Sequence, residues 1–186
     1  MGEAFARNEL GLAEPVVGIL NVGVEVLKGN EAVKGASAIL QKSNLPIKFY
    51  GFVEGDDIGK GTVDVVVTEG FTGNIALKAA EGTAKQVATY LKLVLNRTWV
   101  SKLGALLARG AFNALRDRMD PRKHNGGVFA GLNGVVVKSH GGTDELGFAT
   151  AIDVAIEMVR NGLVKKIADD VAEMNAIMEP VAQVAK

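Results

Sequence analysis

The feature that most constrains this chain is a repeated succession of three parts: a short apolar run, a glycine-bracketed polar turn, and an amphipathic stretch of helical period. Val16-Val17-Gly18-Ile19-Leu20 leads into Asn21 to Gly29 and then a helix predicted to reach about Lys42, with Asn30 as N-cap and Glu31 in its first turn. Val63 to Val67 leads into Thr68-Glu69-Gly70-Phe71-Thr72-Gly73-Asn74 and a long helix predicted from about Asn74 to Asn96. Apolar runs of this kind are buried on both faces, as in a parallel sheet, and parallel strands need crossover connections, which are right-handed. Ile47 to Val53 reads as a further strand, Val128 to Leu132 and Val135 to Val137 as short strands, and 3–10, 143–161 and 163–178 as helices. The polar stretch Glu54-Gly55-Asp56-Asp57-Ile58-Gly59-Lys60-Gly61 reads as a loop or one irregular turn. The expected class is therefore α/β with a mostly parallel sheet, without internal repeats or low-complexity segments.

Composition narrows the chemistry. A chain of 186 residues, 48% hydrophobic and 23% charged, is too apolar to be disordered and fits one sizeable domain or a piece of a larger one. Without cysteine it can hold no disulfide, zinc-thiolate site, iron–sulfur cluster or thiol nucleophile, and an intracellular protein is the economical expectation. Twenty-one basic residues balance 21 acidic ones, so the broad basic field of non-specific nucleic-acid binding is missing. No apolar run approaches the roughly 18 residues of a membrane span, and Met1-Gly2-Glu3-Ala4 runs into Arg7, Glu9 and Glu14 instead of a secretory core.

Two stretches carry unusual faces. In the long helix, Lys78, Glu81, Lys85, Thr89, Lys92 and Asn96 fall on one narrow stripe. Ile75, Leu77, Val87, Tyr90, Leu91, Leu93, Val94 and Leu95 occupy the rest, an apolar arc wide enough to want cover from two sides, as at a subunit interface. Residues 97–124 hold seven basic residues against Asp117 and Asp120, a local charge of +5 in a neutral chain. Projected on one helix, Lys102, Arg109, Asn113 and Arg116 share a face, whereas Trp99, Leu103, Leu106, Leu107, Ala111 and Ala114 share another. That is the pattern of a membrane-surface helix, and equally of a helix packed on its own domain or on a second subunit with its basic face solvated.

In open α/β sheets ligands bind outside the carboxyl ends of the strands, which singles out three strand-to-helix junctions. They are Asn21 to Asn30, with Lys28 and Gly29; Thr68 to Asn74, with Gly70, Thr72 and Gly73; and Lys138 to Thr143, with His140. Each combines glycines, amides at a helix start and a polar or cationic side chain, which suits an anion such as phosphate. Each taken singly is also an ordinary helix entry. The P-loop, dinucleotide and G-x-S-x-G signatures are missing, and only His124 and His140 are available to a triad. Asp56-Asp57 reads more readily as a solvated turn than as a Mg²⁺ site, and no metal or cofactor is expected.

Four blocks in order carry a family likeness: Val17 to Gly23 continuing through Lys28-Gly29-Asn30, Tyr50 to Gly55, Asp64 to Asn74, and Gly131 to Gly141. With these the chain resembles the C-terminal part of the bacterial phosphate acyltransferase (PlsX) family. Family members have another large segment before this one, carrying the first strands of the sheet and part of the cleft. The resemblance implies a three-layer α/β/α sandwich like that of phosphotransacetylases and isocitrate-dehydrogenase-type enzymes. Residues 1–186 would be the C-terminal part of that single domain, with 75–120 a long helix and a protruding amphipathic hairpin. It implies transfer of a fatty acyl group from acyl carrier protein to inorganic phosphate, a homodimer, and peripheral attachment to the inner face of the cytoplasmic membrane. It sets Lys28 and Asn74 in the cleft motifs, with Gly29, Asn30, Gly70, Thr72 and Gly73 around the phosphate. His140 and Lys138 are second candidates for phosphate or thiolate contact, and Trp99, Lys102, Leu103, Leu106, Leu107, Arg109 and Arg116 for the membrane. Two alternatives stand beside this expectation: an acyl-coenzyme A phosphotransacetylase, and an inactive dimerisation and membrane-docking module.

Overall fold

The computed structural model of the chain describes residues 1–43 and 45–184, with side chains through residue 176. In chain order its elements are α1 (Gly2–Glu9), β1 (Val16–Leu20), α2 (Glu31–Lys42), β2 (Lys48–Val53), α3 (Gly55–Lys60), β3 (Val65–Val67), α4 (Gly70–Leu95), α5 (Trp99–Leu107) and α6 (Arg109–Arg118). A 3-10 turn (Pro121–His124), β4 (Gly127–Val128), β5 (Val137–Lys138), α7 (Glu145–Arg160) and α8 (Leu163–Val184) complete it. Two compact units result, one of residues 1–68 with 125–186 and one of residues 69–124.

The first unit is α/β, consistent with the three-layer class expected. β1 lies at the centre of a parallel sheet in the order β2-β1-β3, and its Val17, Ile19 and Leu20 are buried. The crossover from β1 to β2 is α2, whose N-cap Asn30 accepts the Val33 N–H at 2.9 Å, as its sequence predicts. A second nucleus joins Ala4, Met158, Leu163 and Ile167, with Phe5, Val128, Val137 and Val154 packed against it. Leu163 is wholly buried there, and such a side chain contributes about 2 kcal/mol by leaving water.

Three expectations need correction. Residues 54–61 are not a loop: Asp57 Oδ2 accepts the Glu54 N–H at 2.9 Å and opens α3, which ends on Gly61 in the left-handed region at φ +69°. The aspartates favour the positive end of that helix and the final glycine ends it, so residues that read as loop signals are its caps. The strands expected over 128–132 and 135–137 shrink to β4 and β5, which pair antiparallel as a separate two-stranded ladder. The chain reverses between them over Phe129 to Val136, with Phe129 N–H donating to Val136 O at 3.0 Å. In the second unit, the single helical face projected over 99–116 is broken at Ala108, where α5 ends and α6 begins with ψ near 7°.

Candidate active site

The strand order creates a switch point at β1, because the chain leaves it towards β2 on one side and returns to β3 on the other. Ile19 is in register with Val67, so the carboxyl ends of β1 and β3 lie side by side. The loop carrying Lys28 and the segment beginning at Thr68 therefore depart from one edge of the sheet, where α/β folds bind ligands. Lys138 lies in β5, which belongs to the two-stranded ladder with β4 and not to the parallel sheet.

The 21–29 loop is braced by its own backbone. The Asn21 carboxamide accepts the Val22 N–H at 2.9 Å and donates to Lys28 O at 3.1 Å, and Lys28 N–H donates to Glu25 O at 3.0 Å. Gly29 has φ +94°, and a Cβ there would run into the Asn21 carboxamide; a Cβ on Gly23 would strike the Lys28 side chain. Lys28 Nζ pairs with Glu25 Oε1 at 2.9 Å, both side chains being about half exposed. The hydrogen bond to Glu25 raises the lysine above its ordinary pKa and lowers the glutamate, so the ammonium is charged throughout the neutral range. Water screens an exposed pair of this kind, and it exchanges readily for another anion. Around it Val22, Val24, Val26 and Leu27 all stand exposed.

The other junction starts earlier than its sequence suggests. α4 begins at Gly70, and its N-cap Glu69 accepts the Phe71 and Thr72 N–H groups at 2.6 Å each. Gly73 N–H donates to Glu69 O at 3.0 Å. Asn74 thus lies inside the helix, exposed, and is not its cap, while the Thr72 amide already faces a carboxylate and the Gly73 amide a backbone carbonyl. The Thr72 hydroxyl, and then the Thr72 and Phe71 amides, hold the Glu69 carboxyl below its usual range.

His140 belongs to a tight turn. Its Nδ1 accepts the Gly142 N–H at 3.2 Å, its O accepts the Thr143 N–H, and its own N–H donates to Asn125 Oδ1 at 2.9 Å. Asn125 is buried and also donates to Ser139 Oγ at 2.8 Å and to Gly147 O at 2.7 Å, tying the turn to the start of α7. Asp56 and Asp57 are spent on α3: Lys60 Nζ reaches Asp56 at 2.6 Å, and Thr62 donates to Asp57 at 2.9 Å. Among the described residues no three acidic or histidine side chains gather as metal ligands do.

Residues 1–166 match the family described as fatty acid synthesis protein. The chain belongs to the fatty acid synthesis protein family. It is 62% identical over 173 residues to a phosphate acyltransferase of Sinorhizobium fredii, covering 92% of this chain and 50% of that protein. A phosphate acyltransferase of Xanthobacter autotrophicus is 62% identical over 167 residues, 90% of this chain and 47% of its own length. One from Rhizobium meliloti is 60% identical over 173 residues, 92% of this chain and 50% of its own. The chain thus spans about half the length of the curated relatives it matches.

In this member of the fatty acid synthesis protein family the second unit is notable for what it leaves uncovered. Ile75, Leu77, Val87, Tyr90, Leu93 and Val94 on α4 are exposed, as are Trp99 (77%), Leu103, Leu106 and Leu107 (81%) on α5. Lys102, Arg109 and Arg116 are exposed as well. Arg122 holds the Asp120 carboxyl far below its usual range, and Lys123 approaches Asp117 at 4.0 Å, so the two acids of 97–124 lie against its last two cations. Among the described residues no helix is long and apolar enough to cross a membrane.

Asn21, Glu25, Glu69 and Asn125 shape these turns and were not singled out from sequence. Asn21 and Glu25 had a legible signal, an acceptor before a glycine-rich turn and an i,i+3 partner for Lys28. Asn125 had none, since its three partners lie 14 to 22 residues away in the chain.

Proposed function

We propose that the chain is the C-terminal part of an acyltransferase that moves a fatty acyl group from acyl carrier protein to inorganic phosphate, yielding an acyl phosphate for phospholipid synthesis. The observation that carries this reading is the braced 21–29 loop, with a cation beside four exposed apolar side chains at the carboxyl edge of the sheet. An acyl phosphate has the matching halves, an anionic head and an apolar tail. The names of the relatives, phosphate acyltransferase in each case, support the same chemistry.

The reaction needs no protein nucleophile. A phosphate oxygen attacks the thioester carbonyl, the new C–O bond forms as the C–S bond breaks, and the phosphate proton ends on the departing sulfur. The protein must hold the phosphate near the carbonyl and stabilise the oxyanion. Lys28, exchanging Glu25 for substrate, neutralises the phosphate or the oxyanion, with Gly29 and Asn30 lining the turn. Asn74 donates from its carboxamide, and phosphate takes the Thr72 and Phe71 amides by displacing the Glu69 carboxylate, with Gly70 and Gly73 beside it. His140 and Lys138 serve phosphate or the leaving thiolate.

The exposed arc of α4 suits a second copy of the chain. The exposed apolar side chains of α5, with Lys102, Arg109 and Arg116 near them in sequence, suit the anionic inner face of the cytoplasmic membrane. The deciding assay is phosphate-dependent loss of acyl thioester with acyl carrier protein and with coenzyme A as alternative donors. The carrier-protein thioester is expected to be consumed at least tenfold faster. Faster use of the coenzyme A donor points to a phosphotransacetylase, and loss of neither to a docking module. Sedimentation with anionic liposomes is expected to fall several-fold for Leu106→Glu; unchanged binding removes α5 from the membrane.

A further inference from the structure

Lys28 is the cation that the proposed chemistry sets against phosphate, and it already holds an anion of its own chain. The bond from Lys28 N–H to Glu25 O at 3.0 Å closes a turn over residues 25–28, and across it Lys28 Nζ lies 2.9 Å from Glu25 Oε1. Gly23 lies against the pair: a Cβ there would stand 2.6 Å from Glu25 Oε2, 2.8 Å from Lys28 Nζ and closer still to Lys28 Cδ. A residue without a side chain thus makes the room in which the two groups meet, although about half of each remains exposed.

A second carboxylate bears on the same ammonium. Val53, the last residue of β2, is in register with Leu20, and its carbonyl accepts the Asn21 N–H at 2.8 Å, while the Asn21 carboxamide donates to Lys28 O at 3.1 Å. Glu54 therefore leaves β2 beside the 21–29 loop, and its charge, after that of Glu25, favours the charged form of Lys28. The two acids act differently. Glu25 holds Nζ by a hydrogen bond, whereas Glu54 reaches it through its field. A phosphate oxygen can take the place of Glu25 Oε1 only by breaking that bond. The ammonium has two further N–H groups, but a dianion bound through them would lie next to the Glu25 carboxylate, and like charges that close repel. By either route the Glu25 charge works against phosphate.

We infer that Glu25 is a built-in competitor for the anion site at Lys28 and sets how much phosphate is needed to fill it. The inference rests on the reading of Lys28 as a phosphate contact and adds a residue that governs affinity without touching the substrate. The bonds that brace the loop use Glu25 O and the Asn21 carboxamide, not the Glu25 carboxylate, so the charge can be removed with the loop in place.

The test titrates the chain with inorganic phosphate alone, without thioester, and follows binding by phosphorus NMR. Glu25→Gln keeps the size of the side chain and removes its charge, and is expected to tighten phosphate about threefold, the scale of losing one exposed ion pair. Glu54→Gln is expected to tighten it less. Asp169→Asn removes an equal charge from an exposed pair with Lys165 on α8 and is expected to bind as the unmodified chain does. With Lys28→Ala also present, Glu25→Gln is expected to lose most of its gain. Unchanged affinity in Glu25→Gln overturns the inference, and weaker binding overturns it in favour of a carboxylate that positions Lys28. An equal gain from Asp169→Asn overturns it in favour of net charge, and phosphate that binds none of these proteins overturns it outright. The transfer reading is judged by the thioester assay alone. Tighter phosphate without thioester loss refutes acyl transfer and keeps Glu25 as competitor; thioester loss with unchanged phosphate affinity does the reverse.

Discussion

Lys28→Ala is expected to lower phosphate-dependent thioester turnover about a hundredfold or more, the scale of losing a fixed charge or donor at a developing oxyanion. The fold is expected to survive. The 21–29 loop is held by the Asn21 carboxamide, by the Lys28 N–H to Glu25 O bond and by the backbone room at Gly29, none of which uses the Lys28 ammonium. Its pairing with Glu25 is half exposed and screened, so its loss changes stability little. Turnover measured at varied phosphate, alongside circular dichroism, separates the two effects. A folded Lys28→Ala protein with full turnover excludes Lys28 from the chemistry. Arginine is not an equivalent replacement, since its planar fork presents charge differently from a compact ammonium in a confined turn.

Asn125→Ala is expected to destabilise the first unit by about 3 kcal/mol, read as a lowered urea midpoint. The estimate follows from the bonds lost: the His140 N–H loses its acceptor, and Ser139 Oγ and Gly147 O lose a donor at a buried position. Against the 5–15 kcal/mol typical of a domain, that is a large fraction. Asn125→Asp is expected to fare little better, because a carboxylate has no proton for the Gly147 carbonyl and a buried charge is added. A midpoint unchanged in both variants means that water replaces the carboxamide and that the turn does not depend on it.

Much of the first unit is legible in sequence because its signals are local. The apolar run at 16–20 becomes β1, and Asn30 caps α2 in the predicted way. The departures arise where a local signal has two uses. Gly55, Gly59 and Gly61 read as loop residues, yet Asp57 closes a cap and Gly61 only ends the helix. Glutamate is a less favoured N-cap than the asparagine five residues on, so the sequence places the start of α4 at Asn74, although Glu69 takes two amides at the true start. Antiparallel pairing of β4 with β5 depends on where the chain reverses, and Asn125 acts on partners distant in sequence. Neither leaves a periodic trace.

On the proposed exchange of the Glu69 carboxylate for phosphate, the beginning of α4 would acquire a bias by valence. A singly charged visitor arriving there trades one negative charge for another and gains little, whereas a dianion brings surplus charge to the same amides. Exchange of this kind would favour doubly ionised phosphate over abundant monovalent salts, without any side chain having to tell them apart by shape.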